Sequence, residues 1–175
     1  RMPPFKYSAL TRVGFSDTDA QGVVYYGRYL PYFDLARVEY HRNLDMLRMD
    51  VGGELVMRAS STEYHAPARF DDLLEVFIRV GRIGRTSATY EMAAYRVEDD
   101  VLMVTATQTL VLVDLEERKA CPIPDEVRER AVRMVLDHEH EYGSQWQAIC
   151  SVAEKLGAKA ETVRLWVRRA ETDEG

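Results

Sequence analysis

The stretch Asp17–Tyr29, with the sequence DTDAQGVVYYGRY, lies between a segment of alternating hydropathy and a long segment of helical periodicity. It contains two carboxylates, Asp17 and Asp19, and a glycine, Gly22, that permits a tight turn. A carboxylate beside the unpaired N–H groups at a helix start can attack a carbonyl group or activate water, while those N–H groups stabilise the oxyanion that develops. This combination is typical of an acyl-transfer site.

The residues on either side of this stretch predict a strand and a helix. Alternate positions from Phe5 to Phe15 are apolar or small, which indicates a strand with one solvated face. From about residue 28 to 47, apolar residues recur at spacings of three and four, which predicts a helix with one continuous apolar side. Pro31 falls in the first turn, where a helix tolerates proline.

The next part of the chain predicts four more strands, at about residues 54–66, 73–83, 86–97 and 101–114. Turns are expected around Gly81–Arg85 and at Glu98–Asp100. The order is strand, helix and then four strands. It predicts an α+β fold, in which an antiparallel five-stranded sheet is covered on one face by a single long helix.

The pattern changes after Pro122–Pro124, because no strand pattern follows. Helices are predicted at about 126–140, at 144–156 with Gly157 ending it, and from Ala160 onwards. We therefore expect two domains, 1–124 with the sheet and 125–175 as a small all-α segment.

Composition restricts the function and the location. The chain has 175 residues, 46% of them hydrophobic and 30% charged, and its formal net charge of −6 argues against a general nucleic-acid binder. Cys121 and Cys150 lie far apart and form no CxxC pair, and no apolar run approaches the roughly 18 residues of a membrane span. We expect a cytoplasmic protein with no membrane association.

Three motifs together resemble the hotdog-fold acyl-CoA thioesterases, in particular the hydroxybenzoyl-CoA thioesterase group. They are the D-x-D-x-x-G-V-V-Y loop, the helix from Tyr29 to Glu39, and Tyr64–Ala68 leading into Asp71–Val76, and the resemblance covers about residues 5–124. It implies a hotdog fold, with the sheet wrapped on a central helix, and hydrolysis of an acyl- or aryl-CoA thioester. It also implies a homodimer or homotetramer, with the active site between the helix of one protomer and the strands of its partner.

The same resemblance assigns roles in the loop. Asp19 corresponds to the family's catalytic carboxylate, the backbone N–H of Tyr26 to its oxyanion donor, and Gly22 lets the loop approach the thioester. Asp19 could act as a nucleophile or as a general base, and its structural alternative is the cap of a turn. We interpret Asp17 as a residue that stabilises the loop by hydrogen bonds. Some relatives have Tyr at Phe15 and His at Tyr26, which affects substrate preference more than reaction type.

Substrate contacts are expected at two places. The acyl pocket is expected to be lined by Tyr25, Tyr26, Tyr29, His65 and Pro67. The phosphates of coenzyme A need cations and hydrogen-bond donors, and we expect these around one glycine-containing turn, from Arg82, Arg85, Thr86 and Ser87. An ordinary solvated turn is the alternative for the second group.

The histidines do not predict a different chemistry. A hotdog hydratase needs a histidine paired with an acid, and neither His41 nor His65 has such a partner nearby in sequence. His138 and His140 are two residues apart and point to different faces of a helix. We predict no metal and no organic cofactor.

The C-terminal segment carries a second resemblance. Residues 148–169 resemble a helix-turn-helix, and with Glu126–Val132 ahead of them they resemble the DNA-binding part of insertion-element transposases. Gly157 would form the turn, and the second helix would carry Thr162, Arg164, Arg168 and Arg169. Because the segment is slightly acidic, we expect a passive helical appendage, with DNA binding as the alternative.

Two other functions remain open from the sequence. An acyl-CoA-sensing transcription regulator would bind the ligand without hydrolysing it and would bind DNA in a salt-sensitive manner. A thioesterase for acyl-carrier proteins would use the same Asp19 with a protein-bound substrate.

Overall fold

The elements of the chain follow the predicted order. The computed structural model describes residues 5, 7–136, 142–156 and 159–173. The elements are strand β1 (Tyr7–Arg12), 3-10 turns at Phe15–Asp17 and Tyr26–Arg28, helix α1 (Tyr29–Asn43), strands β2 (Glu54–Tyr64), β3 (Leu73–Ile83), β4 (Ser87–Arg96), β5 (Val101–Asp114) and β6 (Lys119–Ala120), and helices α2 (Asp125–Leu136), α3 (Gln145–Leu156) and α4 (Ala160–Asp173).

The strands form one sheet in the order β1-β3-β4-β5-β2, with β6 paired to β5. Strand β1 runs antiparallel to β3, so that Tyr7 lies opposite Ile78 and Arg12 opposite Leu73. Leu74 and Ile78 of β3 are fully buried, as the period-two pattern predicted. The α+β hotdog prediction is therefore confirmed. Strand β6 was missed because two residues are too few to show a period.

The first strand and the first helix are both shorter than predicted. Strand β1 ends at Arg12 rather than near residue 15, because Phe15–Asp17 form a 3-10 turn. Helix α1 ends at Asn43 rather than near 47, because the N–H of Met46 donates to the carbonyl of His41, five residues back, and does not continue the helical pattern. Asp45 then adopts a left-handed φ of 55°, a common way to end a helix. The buried face of α1 consists of Tyr29, Tyr32, Phe33, Ala36 and Tyr40.

The chain forms two compact units. The first contains Arg1–Leu47, Ala59–Arg79 and Tyr90–Gln108, and the second contains Arg48–Arg58, Val80–Thr89 and Thr109–Gly175. In the second unit, helices α2, α3 and α4 contact one another and bury Ile149, Val152, Val163 and Val167. A separate domain from residue 125 onwards stays a prediction. The predicted turn at Gly157 and the histidines His138 and His140 lie outside the described residues.

None of the described helices is long and apolar enough to cross a membrane.

A half-buried histidine joins helix α1 to the sheet within the first unit. His41 Nε2 lies 2.8 Å from the hydroxyl of Tyr90, and the two rings are in contact. Burial, together with the positive charge of Arg37, lowers the pKa of His41 to about 4. Arg37 itself pairs with Asp34 and donates to Gln108, as expected of a structural residue.

This environment predicts a stability that depends on pH. In the unfolded chain His41 regains an ordinary pKa of 6.5, so acid protonates the unfolded state first. The stability that depends on keeping His41 neutral is therefore fully present above pH 6.5. It is lost as the pH falls towards 4. Between pH 7.5 and pH 5 the wild type should lose about 2 kcal/mol through this group, and His41→Gln should lose correspondingly less.

Urea denaturation at the two pH values measures this difference. Tyr90→Phe is the matched control, because it removes the hydroxyl partner but keeps His41 buried. It should retain the wild-type dependence on pH. An unchanged dependence in His41→Gln would contradict the assignment.

Candidate active site

The loop after β1 is anchored by the side chain of Asp17. Its Oδ2 accepts hydrogen bonds from the N–H of Gly14 at 2.8 Å and from the hydroxyl of Tyr32 at 2.7 Å. Its Oδ1 lies 3.9 Å from Nε of Arg28, and its backbone carbonyl accepts the N–H of Tyr25 at 2.9 Å. Burial, together with the neighbouring carboxylate, raises the pKa of Tyr32, which keeps this phenol a hydrogen-bond donor. Asp17 therefore ties both ends of the loop to α1.

Asp19 begins a tight turn within the loop. Its Oδ1 accepts the N–H of Gln21 at 2.8 Å, and its backbone pairs with Val23 and Gly22 at 2.9 Å each. Gly22 has a φ of +75°, a conformation that costs little for glycine alone. One carboxylate oxygen of Asp19 thus caps the turn, which is the structural role considered above as the alternative to catalysis. Among the described residues, no group donates a hydrogen bond to the other oxygen, so it is available for chemistry.

The end of the loop lines an open cleft of about 290 Å³. The N–H of Val24 donates to the carbonyl of Ala68 at 2.8 Å, which holds the loop against the segment before β3. We call this the aromatic cleft, and its lining residues are Val24, Tyr26, Tyr29, Tyr64, His65, Ala66 and Pro67. Of the predicted pocket residues, the structure brings together Tyr26, Tyr29, His65 and Pro67. Asp19 and Tyr25 are not among the lining residues.

Hydrogen bonds of the phenols and the histidine fix the lining. The hydroxyl of Tyr64 donates to the backbone carbonyl of Tyr26 at 3.1 Å, and Nε2 of His65 lies 3.0 Å from the hydroxyl of Thr105. Burial raises the pKa of Tyr29, so this phenol is neutral. Tyr64 was missed from the sequence, although its position directly before His65 was visible. The cleft therefore suits an uncharged, partly aromatic group.

The exposed residue Tyr26 lines this cleft and has an unpaired backbone N–H among the described residues. Among the described residues, none accepts a hydrogen bond from its backbone N–H, which lies at the first position of the 3-10 turn before α1. Its ring lies against that of Tyr25, with the two centroids 4.2 Å apart and the planes tilted by 39°, and a hydrogen bond between the two side chains raises the pKa of Tyr25. An N–H group in this position can stabilise a negative oxygen.

The predicted phosphate-binding turn lies in the second unit. Arg82 and Arg85 line a cleft of about 480 Å³ there, whereas Thr86 and Ser87 are not among its lining residues. The carbonyl groups of Thr86 and Ser87 accept the N–H groups of Leu112 and Gly84. These bonds hold the backbone of the turn, while the side chains of Arg82 and Arg85 are exposed, and phosphate binding by this turn stays a prediction.

The histidines described do not pair with acids. His41 contacts Tyr90 and His65 contacts Thr105, so neither has the acidic partner of a hydratase. In the described part of the chain, no group of three or more His, Cys, Asp or Glu side chains could hold a metal ion.

Comparison with known proteins decides the family. Residues 13–131 match the family model of the thioesterase-like superfamily. This chain belongs to that superfamily. The thioesterase is 33% identical to the acyl-CoA thioesterase YbgC of Haemophilus influenzae over 126 residues, which are 70% of this chain and 91% of the relative. The crystal structure of a hypothetical protein from Aquifex aeolicus is 30% identical, with a TM-score of 0.64 over 72% of this chain and 99% of that one. The predicted enzyme class, a thioester hydrolase, is confirmed.

A separate part of the thioesterase resembles a different protein. Over 50 residues, 29% of this chain, it is 58% identical to an uncharacterised 12 kDa protein of insertion element IS629 from Shigella sonnei. That match covers only 46% of the insertion-element protein. The resemblance of the C-terminal segment to an insertion-element protein is thereby confirmed, and DNA binding is not.

The geometry of the loop predicts a large stability effect at Asp17. Asp17→Ala leaves the buried hydroxyl of Tyr32 and the N–H of Gly14 without their acceptor, and we expect a loss of about 2–3 kcal/mol in the free energy of unfolding. Tyr32→Phe removes one bond without leaving a buried donor unpaired and should cost about 1 kcal/mol. Urea denaturation measures both. Equal losses in the two variants would show that Asp17 does not anchor the loop.

Proposed function

We propose that this thioesterase hydrolyses an acyl- or aryl-CoA thioester to the free acid and coenzyme A in the cytoplasm. Asp19 supplies the carboxylate, and the backbone N–H of Tyr26 binds the oxyanion. The observation that carries the proposal concerns Tyr26, which lines the aromatic cleft and whose backbone N–H bonds to no described residue. A largely aromatic cleft lined by a residue with such a donor suits the acyl part of a thioester.

Two routes are compatible with this arrangement. In the first, the carboxylate of Asp19 attacks the thioester carbon, the thiolate of coenzyme A leaves, and water cleaves the resulting mixed anhydride. In the second, Asp19 accepts a proton from a water molecule that attacks the carbon directly. In both routes negative charge develops on the carbonyl oxygen, where the N–H of Tyr26 stabilises it. The hydrogen bond from the N–H of Gln21 to Asp19 orients the carboxylate for either role.

The substrate class is supported by the relatives and by the cleft. The Haemophilus relative, which aligns with 70% of this chain, is named an acyl-CoA thioesterase. The tyrosines of the aromatic cleft offer flat apolar surfaces with polar edges, which accommodate aryl or medium-length acyl groups. An acyl-carrier protein would present the same thioester on the same phosphopantetheine arm.

The carboxylate of Asp19 is tested by Asp19→Asn. We expect kcat/KM to fall by at least about a hundredfold, because the amide neither attacks a carbonyl nor accepts a proton. Thiol release from a panel of aryl, short, medium and long acyl-CoAs measures this and identifies the preferred acyl group. Asp114→Asn is the matched control, since Asp114 also accepts a backbone N–H two residues ahead, at 2.9 Å. Full activity of Asp19→Asn would refute the catalytic role of Asp19. Faster turnover of acyl-carrier-protein thioesters than of acyl-CoAs would identify the carrier-bound thioester as the substrate.

The oxyanion role of Tyr26 is tested by a pair of variants. Tyr26→Pro removes the N–H, and proline is tolerated at the first position of a helical turn. The preceding Tyr25 has φ −59° and ψ 133°, which is the conformation that a following proline requires. Tyr26→Ala removes the same ring but keeps the N–H. We expect Tyr26→Pro to have a kcat about 10²–10³ times lower than Tyr26→Ala. Equal kcat values in two folded variants would exclude this donor.

We also propose that the enzyme works as a homodimer or a dimer of dimers. Strand β2 is an edge strand of 11 residues, and it exposes apolar side chains at Val56 and Met57 on successive positions, hence on both of its faces. A long edge strand with exposed apolar side chains is a template for pairing with a second copy. Asp19 does not line the aromatic cleft of its own protomer. In the proposed dimer, residues of the second copy would complete the active site.

Dimerisation through β2 is tested by Met57→Lys. A lysine on the edge opposes strand pairing, and we expect a monomer with at least about tenfold lower kcat/KM. Sedimentation velocity measures the assembly. Leu115→Lys is the control, because Leu115 is 59% exposed in the turn before β6, and it should leave the assembly unchanged. A fully active monomer of the wild type would contradict the proposal.

A further inference from the structure

The second unit contains a cleft to which the C-terminal helices contribute. The N–H of Ile123 donates to the carbonyl of Arg85 at 2.8 Å, which ties the chain before α2 to the turn between β3 and β4. Arg128 of α2 then donates from Nη2 to the carbonyl groups of Gly84 at 2.7 Å and Arg85 at 3.2 Å. These bonds hold the start of α2 on the turn, and helix α4 closes the other side of the cleft.

The lining of this cleft is strongly basic. Its charged groups are the cations of Arg82, Arg85, Arg128 and Lys159 and the single carboxylate of Asp125. The chain as a whole has a net charge of −6, so this cleft is positively charged although the protein is acidic overall. We call this cavity of about 480 Å³ the cationic cleft. Such a site selects an anion with more than one negative group.

The cleft also offers an aromatic surface. Trp166 and Thr162 lie one turn apart on α4, and both line it. An indole provides a face on which a purine base stacks, and a hydroxyl can donate to a phosphate. The volume lies within the range of about 300–1,000 Å³ that is usual for small-ligand sites. Cations, a hydroxyl and an aromatic ring together match a phosphorylated nucleoside.

We propose that the cationic cleft binds the nucleotide end of coenzyme A, its adenosine with the 3′-phosphate and the 5′-diphosphate. The C-terminal segment then supplies Lys159 for a phosphate and Trp166 for the base. This inference rests on the proposed CoA thioester substrate. It gives the insertion-element-like segment a part in substrate binding, beyond that of a passive appendage.

The shape of the cleft favours a nucleotide over double-stranded DNA. The helix-turn-helix resemblance places Thr162 on the helix that would enter a DNA groove, which requires an exposed helix face. In the structure Thr162 and Trp166 of this helix line a concave site with Arg82 and Arg85 instead. Arg164 and Arg168 line a different groove, and Arg164 pairs with Glu161 at 3.5 Å.

Binding of adenosine 3′,5′-bisphosphate to the full chain tests the proposal without turnover. Calorimetry should show binding that weakens by about tenfold or more in Lys159→Ala and in Trp166→Leu, and that Lys159→Arg and Trp166→Phe largely restore. Arg164→Ala, on the same helix but outside the cleft, is the matched control and should bind as the wild type does. Absence of binding, or equal binding by Lys159→Ala, would overturn the inference.

Kinetics give an independent readout. In Lys159→Ala the KM for an acyl-CoA should rise about tenfold with kcat unchanged, whereas the KM for the corresponding acyl-pantetheine, which lacks the nucleotide, should not change. If the bisphosphate binds but no thioester is hydrolysed, the proposed function fails and the nucleotide site stands. Binding of a duplex DNA that Lys159→Ala abolishes, without binding of the bisphosphate, would overturn the proposal in favour of DNA.

Discussion

The hydrogen bonds of Asp17 are the constraint on which the site depends. A loop between a strand and a helix has high conformational entropy, so bonds that hold it in one conformation define the positions of its groups. One carboxylate bonds to Gly14 at the loop entrance and to Tyr32 one turn into α1. Because the same residue also accepts the N–H of Tyr25, the donor at Tyr26 and the buried ring of Tyr29 have defined positions.

The two carboxylates of the loop, those of Asp17 and Asp19, differ in their hydrogen bonds. Asp17 uses its oxygens for partners within the loop and α1, so it stabilises structure. Asp19 uses one oxygen for a turn and keeps the other available. The chemistry proposed for Asp19 therefore depends on the rigidity that Asp17 supplies, and preorganisation of this kind is a major source of catalytic power.

The C-terminal segment is held together by apolar packing and is held to the turn after β3 by hydrogen bonds. Its helices bury an apolar face among themselves, which only requires amphipathic patterns. Its attachment to the turn after β3 depends instead on specific bonds from Ile123 and Arg128. Those bonds create a basic cavity that neither the thioesterase turn nor the helices would form alone.

The sequence by itself determined the elements and their order, because each strand and each helix has a hydropathy period that can be read from its own residues. It also identified the loop and the residues Tyr26, Tyr29, His65 and Pro67, since they occur in recognisable motifs. The ends of β1 and α1 were misjudged, because a side-chain bond from Asp17 and a left-handed residue at Asp45 override periodicity.

Only the tertiary structure decided which distant residues meet. Tyr64 reaches the carbonyl of Tyr26 across 38 positions, and Arg128 reaches Gly84 across 44. Such contacts produce no periodic pattern in the sequence, because they depend on which distant segments the fold brings together. The sequence therefore predicted the candidate groups of the loop, whereas the fold decided the surfaces that surround them.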